Sequence, residues 1–144
     1  MRKHKILVVD DEQVISDTVT LILQSRGYEV ITAFDGSEGI AKARTEHPDL
    51  ILLDIMMPGM NGHDVCVKIK GDRNTRKIPI IMLTGQGERE AVIKARQTGA
   101  NDYILKPFTM ATLLTKISQQ FEQDQNTPKY RKLSWWRRLF RRVR

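Results

Sequence analysis

The sequence predicts an α/β chain of (βα)5 form, a three-layer sandwich around a parallel five-stranded sheet, and three features point to it. Short apolar runs alternate with longer stretches of helical periodicity. The runs are continuous rather than alternating in polarity, as in parallel strands covered on both faces. Glycines stand where helices would stop.

The elements follow in order. Ile6–Val9, Leu50–Leu53, Ile80–Leu83 and Tyr103–Leu105 read as strands one, three, four and five. Tyr28–Thr32 mixes Glu29 and Thr32 among apolar residues and suits an exposed edge as strand two. Val14, Thr18, Leu21, Ile22 and Ser25 recur at helical spacing in the first helix, and Met110, Leu114, Ile117 and Phe121 do so in the last. The stretches 37–46, 63–70 and 88–98 are weaker helical patterns, and Gly27, Gly71 and Gly99 are the expected helix C-caps.

Charge divides the chain. Its 24 basic and 17 acidic residues give a net charge of +7 over 144 residues. Eight of the basic residues and none of the acidic ones lie between Thr127 and Arg144, so the body is near neutral and the basicity belongs to a tail. The organisation expected is a domain over 1–124, a linker over 125–132, and a basic amphipathic helical tail over 133–144. No apolar run approaches the length of a membrane span, and the first residues lack the apolar core of a signal peptide. The expected location is the cytoplasm, with a peripheral position at the inner membrane face open to the tail. The single cysteine, Cys66, suits a reducing compartment and has no neighbouring His to activate it. His4, His47 and His63 lack metal-ligand spacing.

The chemistry gathers where strands end. Strand one runs into Asp10-Asp11, strand three into Asp54, strand four into Thr84, and strand five into Lys106-Pro107. Ligands bind an open parallel sheet beyond the carboxyl ends of its strands, where the strand order reverses. With an assumed order 2-1-3-4-5, that place lies between strands one and three. Each residue also has a plainer reading: Asp10-Asp11-Glu12 as a helix cap, Asp54 and Thr84 as turn or cap residues, Lys106 as a solvated charge. Five polar residues placed alike on four strands weigh against all of these at once.

Three carboxylates drawn together repel by about 4 kcal/mol per pair at 4 Å and an effective dielectric of 20. A hard divalent cation with oxygen ligands relieves this, which points to Mg²⁺ and to phosphoryl transfer. Asp54 stands alone on the central strand as the nucleophile. Lys106 supplies a second positive charge, Thr84 a hydroxyl donor, and Gly85 room for a phosphoryl oxygen.

The stretches ILVVDDE (6–12), PDLILLDIMMPGMNG (48–62), IPIIMLTG (78–85) and GANDYILKPF (99–108) resemble those of response-regulator receiver domains, such as chemotaxis receivers, over about residues 4–124. The resemblance implies a flavodoxin-like sheet and phosphorylation of Asp54. It implies direct Mg²⁺ ligation by Asp11, Asp54 and the Met56 carbonyl, with Asp10 acting through water. It assigns phosphoryl binding to Thr84 and Lys106, a switch to Thr84 and Tyr103, and a cis Lys106–Pro107 peptide. Asn61 departs from the Asp often found there, at a position that is not a ligand. The donor would be a histidine kinase or phosphotransfer protein, and the domain would catalyse its own phosphorylation and dephosphorylation without being a conventional enzyme. A stand-alone regulator is expected, with output through a downstream protein or the tail.

Two other chemistries fit less well. A haloacid-dehalogenase phosphatase needs an acid two residues beyond its nucleophile, where this chain has Met56. A flavodoxin-like nucleotide site needs a hydroxyl- or glycine-rich first loop, and Asp-Asp-Glu would repel phosphate.

In the tail, at 100° per residue, Leu133, Trp135, Trp136, Leu139, Phe140 and Val143 fall within an arc of about 160°, opposite the five arginines of 137–144. A solvated basic tail is the plain reading. An anionic membrane surface or a partner's groove suits the segregation better than nucleic acid does.

Overall fold

The computed structural model describes residues 3–85 and 89–126. Strands and helices alternate as β1 (Lys5–Val9), α1 (Gln13–Ser25), β2 (Glu29–Ala33), α2 (Gly36–Glu46), β3 (Leu50–Asp54), α3 (Gly62–Gly71), β4 (Ile80–Thr84), α4 (Arg89–Gln97), β5 (Asp102–Leu105) and α5 (Met110–Asn126). The sheet is parallel throughout in the order β2-β1-β3-β4-β5, as assumed from the sequence.

Continuous apolar strands have a direct cause here. Successive strand residues face opposite sides. Leu7, Val9, Ile51 and Leu53 enter one core with Ala43 of α2, Val65 and Ile69 of α3 and Ala95 of α4. Ile6, Val8, Leu50 and Leu52 enter the other with Val19 and Leu23 of α1 and Leu113, Ile117 and Phe121 of α5. The edge strand β2 is buried only at Ala33, which is why it tolerates Glu29 and Thr32. Cys66 is packed in the first core with its thiol donating to the Thr98 carbonyl at 3.3 Å, an inert setting.

Some expectations need correction. The spacing that marks α1 as a helix runs along a face the core does not use: Val14 is 77% and Leu21 68% exposed, while Ser16, Val19 and Leu23 are buried. This helix carries two apolar stripes, and contact with β1, β3 and α5 selects the one through Val19 and Leu23. Gly27 (φ 88°) and Gly99 (φ 96°) terminate helices in the left-handed region, as a C-cap glycine does. Gly71 instead ends α3 inside the helix, and the left-handed cap that the sequence did not suggest is His47 (φ 48°) after α2. The last helix runs to Asn126, two residues into the stretch expected as linker. The rest of that stretch and the 133–144 tail lie outside the described residues.

Candidate functional site

The carboxyl edge of the sheet brings the expected residues together. Asp10 leaves β1 fully buried, its N–H donating to the Ala33 carbonyl at 3.1 Å. Asp54 closes β3 and is 2% exposed, and Thr84 closes β4 and is 4% exposed. The Lys106 N–H donates to the Thr84 carbonyl at 2.7 Å, which ties the chain after β5 to the end of β4. From there the Lys106 ammonium reaches Asp54 Oδ1 at 3.2 Å and Asp10 Oδ2 at 3.6 Å. The Lys106–Pro107 peptide is cis. Tyr103 sits half-buried on β5 beside Met82 of β4, with the Lys116 ammonium 5.7 Å from its ring centre. Met56 is exposed, and its backbone N–H acts to lower the Asp54 carboxyl.

Asp11 is placed otherwise. It is exposed, and the carboxylates whose oxygens lie within 4.8 Å of one another are Asp10, Glu12 and Asp54. The backbone explains this arrangement. Asp10 Oδ1 accepts from the Glu12 N–H at 2.9 Å, a tight turn that swings the Glu12 side chain over the site and leaves Asp11 on the outside. Glu12 is the N-cap of α1 but makes no side-chain capping bond, so the simple capping account of Asp-Asp-Glu does not hold.

Burial dominates the electrostatics. It pushes the Asp54 carboxyl up to about 6, with repulsion from Asp10 adding to the rise and Lys106 and the Met56 N–H only partly offsetting it. Burial pulls the Lys106 ammonium down, but Asp54 and Asp10 outweigh it and raise the net value, so this lysine is held charged. Asp10 Oδ2 and Asp54 Oδ2 are buried without a hydrogen-bond donor. Buried anionic oxygens without a donor are costly unless something positive meets them, and Lys106 comes no nearer to Asp10 Oδ2 than 3.6 Å. A hard divalent cation that prefers carboxylate oxygen is what this donor set fits, and Mg²⁺ is such a cation.

Two supporting residues complete the loop after β3. A Cβ at Gly62 would run into the Asp54 carbonyl oxygen and come within 2.7 Å of Ile55 Cα, so only glycine lets α3 start against the strand end. Asn61 caps α3 through its side-chain oxygen, which accepts from the Asp64 N–H at 3.0 Å. Asp and Asn serve that role about equally, which accounts for the departure from the usual Asp. A Cβ at Gly85 would meet open space, so the room beside Thr84 does not depend on glycine. Of these, Glu12 and Gly62 were missed as site residues in the sequence. Glu12 looked like part of a helix cap, and the signal for Gly62 was a glycine closing a loop four residues after the Pro58 turn.

The family model for the response regulator receiver domain matches residues 6–118. This chain therefore belongs to the receiver domains of response regulators, the phosphoacceptors of two-component systems. Among curated proteins it is 35% identical over 126 residues to the DNA-binding response regulator MtrA of Mycolicibacterium smegmatis, covering 88% of this chain and 54% of that protein. It is 38% identical over 130 residues to the dual master transcriptional regulator RpaA of Synechocystis, covering 90% and 54%. The chain thus spans about half the length of the curated relatives it matches. Among solved structures, chemotaxis protein CheY4 of Vibrio cholerae superposes with TM-score 0.79 at 36% identity over 82% of this chain and 98% of that one. A CheY-like receiver domain from Methanospirillum hungatei gives 0.81 at 35% identity, over 86% and 98%.

Proposed function

We propose that Asp54 takes a phosphoryl group from the phosphohistidine of a histidine kinase or phosphotransfer protein and that this charge switches the domain's contacts. The observation that carries the reading is the Asp54 carboxylate itself: Oδ1 is held by Lys106, while Oδ2 has no donor and keeps its lone pairs. A carboxylate oxygen attacks phosphorus, an acyl-phosphate bond forms, and the bond from phosphorus to the histidine nitrogen breaks with its electron pair. Lys106 holds a phosphoryl oxygen by charge, and the Thr84 hydroxyl donates to another. Bound Mg²⁺ would neutralise charge on the carboxylates and the phosphoryl oxygens. Its proposed protein ligands are Asp11, Asp54 and the Met56 carbonyl, with Asp10 acting through water. Asp11 is exposed on the loop that carries Asp10, and this ligand set requires it to turn toward the site. Hydrolysis of the acyl phosphate on the same residues returns the switch, so the domain acts on itself rather than on a separate substrate.

The switch proper is Thr84 with Tyr103. Phosphorylation adds about −1.5 to −2 charges at Asp54. Drawing Thr84 toward that charge opens space for the Tyr103 ring and reshapes the surface of α4, β5 and α5. A shift from 1:99 to 99:1 needs about 5.5 kcal/mol, and charge-assisted bonds from Thr84 and Lys106 at roughly 1.5–3 kcal/mol each supply most of it. Output is assigned to the surfaces this chain itself carries: that face, for a downstream protein, and the 133–144 tail, for a protein or an anionic membrane. DNA binding is named for the longer relatives, whereas the apolar arc in the tail's sequence suits a protein or an anionic membrane better than nucleic acid. No described helix is long and apolar enough to cross a membrane, and the cytoplasm is the proposed location.

One experiment tests both halves. Acetyl phosphate with Mg²⁺ should phosphorylate the protein but not Asp54→Asn. Thr84→Ala should accept phosphate yet lose the phosphorylation-dependent change in Tyr103 fluorescence or partner binding. Phosphate incorporated into Asp54→Asn would remove the first half, and full activation of Thr84→Ala the second.

A further inference from the structure

A mostly apolar groove opens beside the phosphorylation site. It has a volume of about 500 Å³, and Val14, Ile15 and Thr18 of α1 line it together with Gly85, Lys106 and Phe108. Among the described residues that line it, Lys106 alone is charged. The Lys106 ammonium lies 3.2 Å from Asp54 Oδ1, and Gly85 directly follows Thr84, so the groove and the reacting centre adjoin. A lysine stem can pack along apolar surface while its charged head is held elsewhere. The α1 side offers apolar contact rather than hydrogen bonds: Val14 is 77% exposed, and the Thr18 hydroxyl donates to the Val14 carbonyl of its own helix at 2.8 Å.

We infer that this groove is a subsite for the organic part of a small phosphodonor, an acyl phosphate with a short aliphatic chain such as propyl or butyl. The inference deepens the phosphoacceptor reading and rests on Asp54 as the nucleophile. Three observations favour this occupant. The first is charge: an acyl phosphate is anionic at one end and apolar at the other, and the site pairs the Lys106 cation with an uncharged groove. The second is continuity, because Lys106 belongs to both places, so a donor whose phosphoryl group meets Lys106 has the groove within reach of its chain. The third is size: the volume falls within the range of about 300–1,000 Å³ typical of small-molecule sites, and the single methyl group of acetyl phosphate would leave most of it empty. The step balances without a further reactant. An Asp54 carboxylate oxygen attacks phosphorus, a new P–O bond forms, and the bond from phosphorus to the donor's acyl oxygen breaks with its electron pair. The donor leaves as a carboxylate, no proton moves, and one mixed anhydride replaces another.

The test compares acetyl phosphate with butyryl phosphate on the full chain with Mg²⁺. Their leaving carboxylates are of nearly equal basicity, so a difference in rate reports the chain. Two added methylenes should raise kcat/KM by about fourfold if half covered and about fifteenfold if fully covered. The gain should fall in KM with kcat unchanged, because a chain remote from phosphorus is bound alike in the ground and transition states. Val14→Asn should narrow the butyryl-to-acetyl ratio and Thr18→Leu should widen it; both positions are exposed, so neither change disturbs the core. Methylphosphonate and propylphosphonate, which cannot transfer their phosphorus, give a second readout independent of the reaction. Calorimetry with Mg²⁺ should show the propyl compound binding more tightly by a similar factor in the wild type, and by less in Val14→Asn. Equal kcat/KM for the two donors, or a ratio that Val14→Asn and Thr18→Leu both leave unchanged, would overturn the subsite. Failure of both donors to phosphorylate the wild type would count against the Asp54 reading instead. The phosphonates then decide the groove by themselves, and equal affinity for the two would overturn it.

Discussion

Replacing Asp54 with Asn should stabilise the metal-free protein at neutral pH, and the size of the gain follows from the site. The carboxyl ordinarily titrates near 3.8, and burial together with Asp10 pushes it up to about 6. The folded state thus binds this proton more tightly than the unfolded chain does. Stability contributed by that proton is present below 3.8, is lost as pH rises toward 6, and is absent above it. At about 1.4 kcal/mol per tenfold difference in proton affinity, the gap amounts to roughly 3 kcal/mol. Asp54 is 2% exposed, so solvent screening removes little of this. Asparagine keeps the shape, and its amide oxygen can still accept from Lys106, so the substitution removes mainly the buried charge. In EDTA at pH 7.5, Asp54→Asn should have a higher urea midpoint, equivalent to a rise in Tm of about 10 °C for a domain of this size. The advantage should shrink toward zero by pH 4. It should also shrink on adding Mg²⁺, because a cation held by the folded wild type, as proposed, would raise its stability. Coincident unfolding curves for the two proteins at pH 7.5, or a gap that does not change between pH 7.5 and 4, would refute the electrostatic account of the site.

The remaining predictions concern the loops around Asp54. Asp11→Ala should weaken Mg²⁺ binding, read by quenching or calorimetry, more than Glu12→Ala does. The reverse order would make Glu12, which the structure places within 4.8 Å of Asp10 and Asp54, the ligand in its stead. Gly62→Ala should lower stability by about 1–3 kcal/mol, because its methyl group meets backbone atoms of Asp54 and Ile55 that can yield only by shifting the strand end. Denaturation midpoints that match the wild type would show that the loop relaxes freely.

The sheet was legible because strands buried on both faces leave an unmistakable record: no polar residue can occupy Ile6–Val9 or Leu50–Leu53 without entering one core or the other. The site residues at strand ends were legible for a related reason, since the first polar side chain after such a run must lie at the sheet's edge. What the sequence hid was decided by contacts between distant segments. Val14 and Leu21 have the same spacing as a buried face, and only the docking of α5 reveals that Val19 and Leu23 are preferred. Whether Asp11 or Glu12 faces Asp54 depends on a side chain accepting one backbone N–H, a choice between neighbours that no periodicity records. His47 adopts a left-handed cap, though Asn or Gly is the usual signal for one.

The site's instability and its responsiveness have one origin. Lys106 is a single cation shared between two carboxylates, 3.2 Å from Asp54 and 3.6 Å from Asp10, and each carboxylate keeps an oxygen without a donor. Such a cluster is poorly satisfied at rest, so a cation or a phosphoryl group entering it meets donors and acceptors already placed and already desolvated. Little further reorganisation is required of Asp54, and the Lys106 backbone is anchored to Thr84 at 2.7 Å. The backbone that carries Lys106 is therefore held at the ends of β4 and β5 together. That coupling runs through one hydrogen bond between adjacent strands rather than through a long relay. In the proposed switch it would tie the residue that senses the phosphoryl charge to the strand that carries Tyr103.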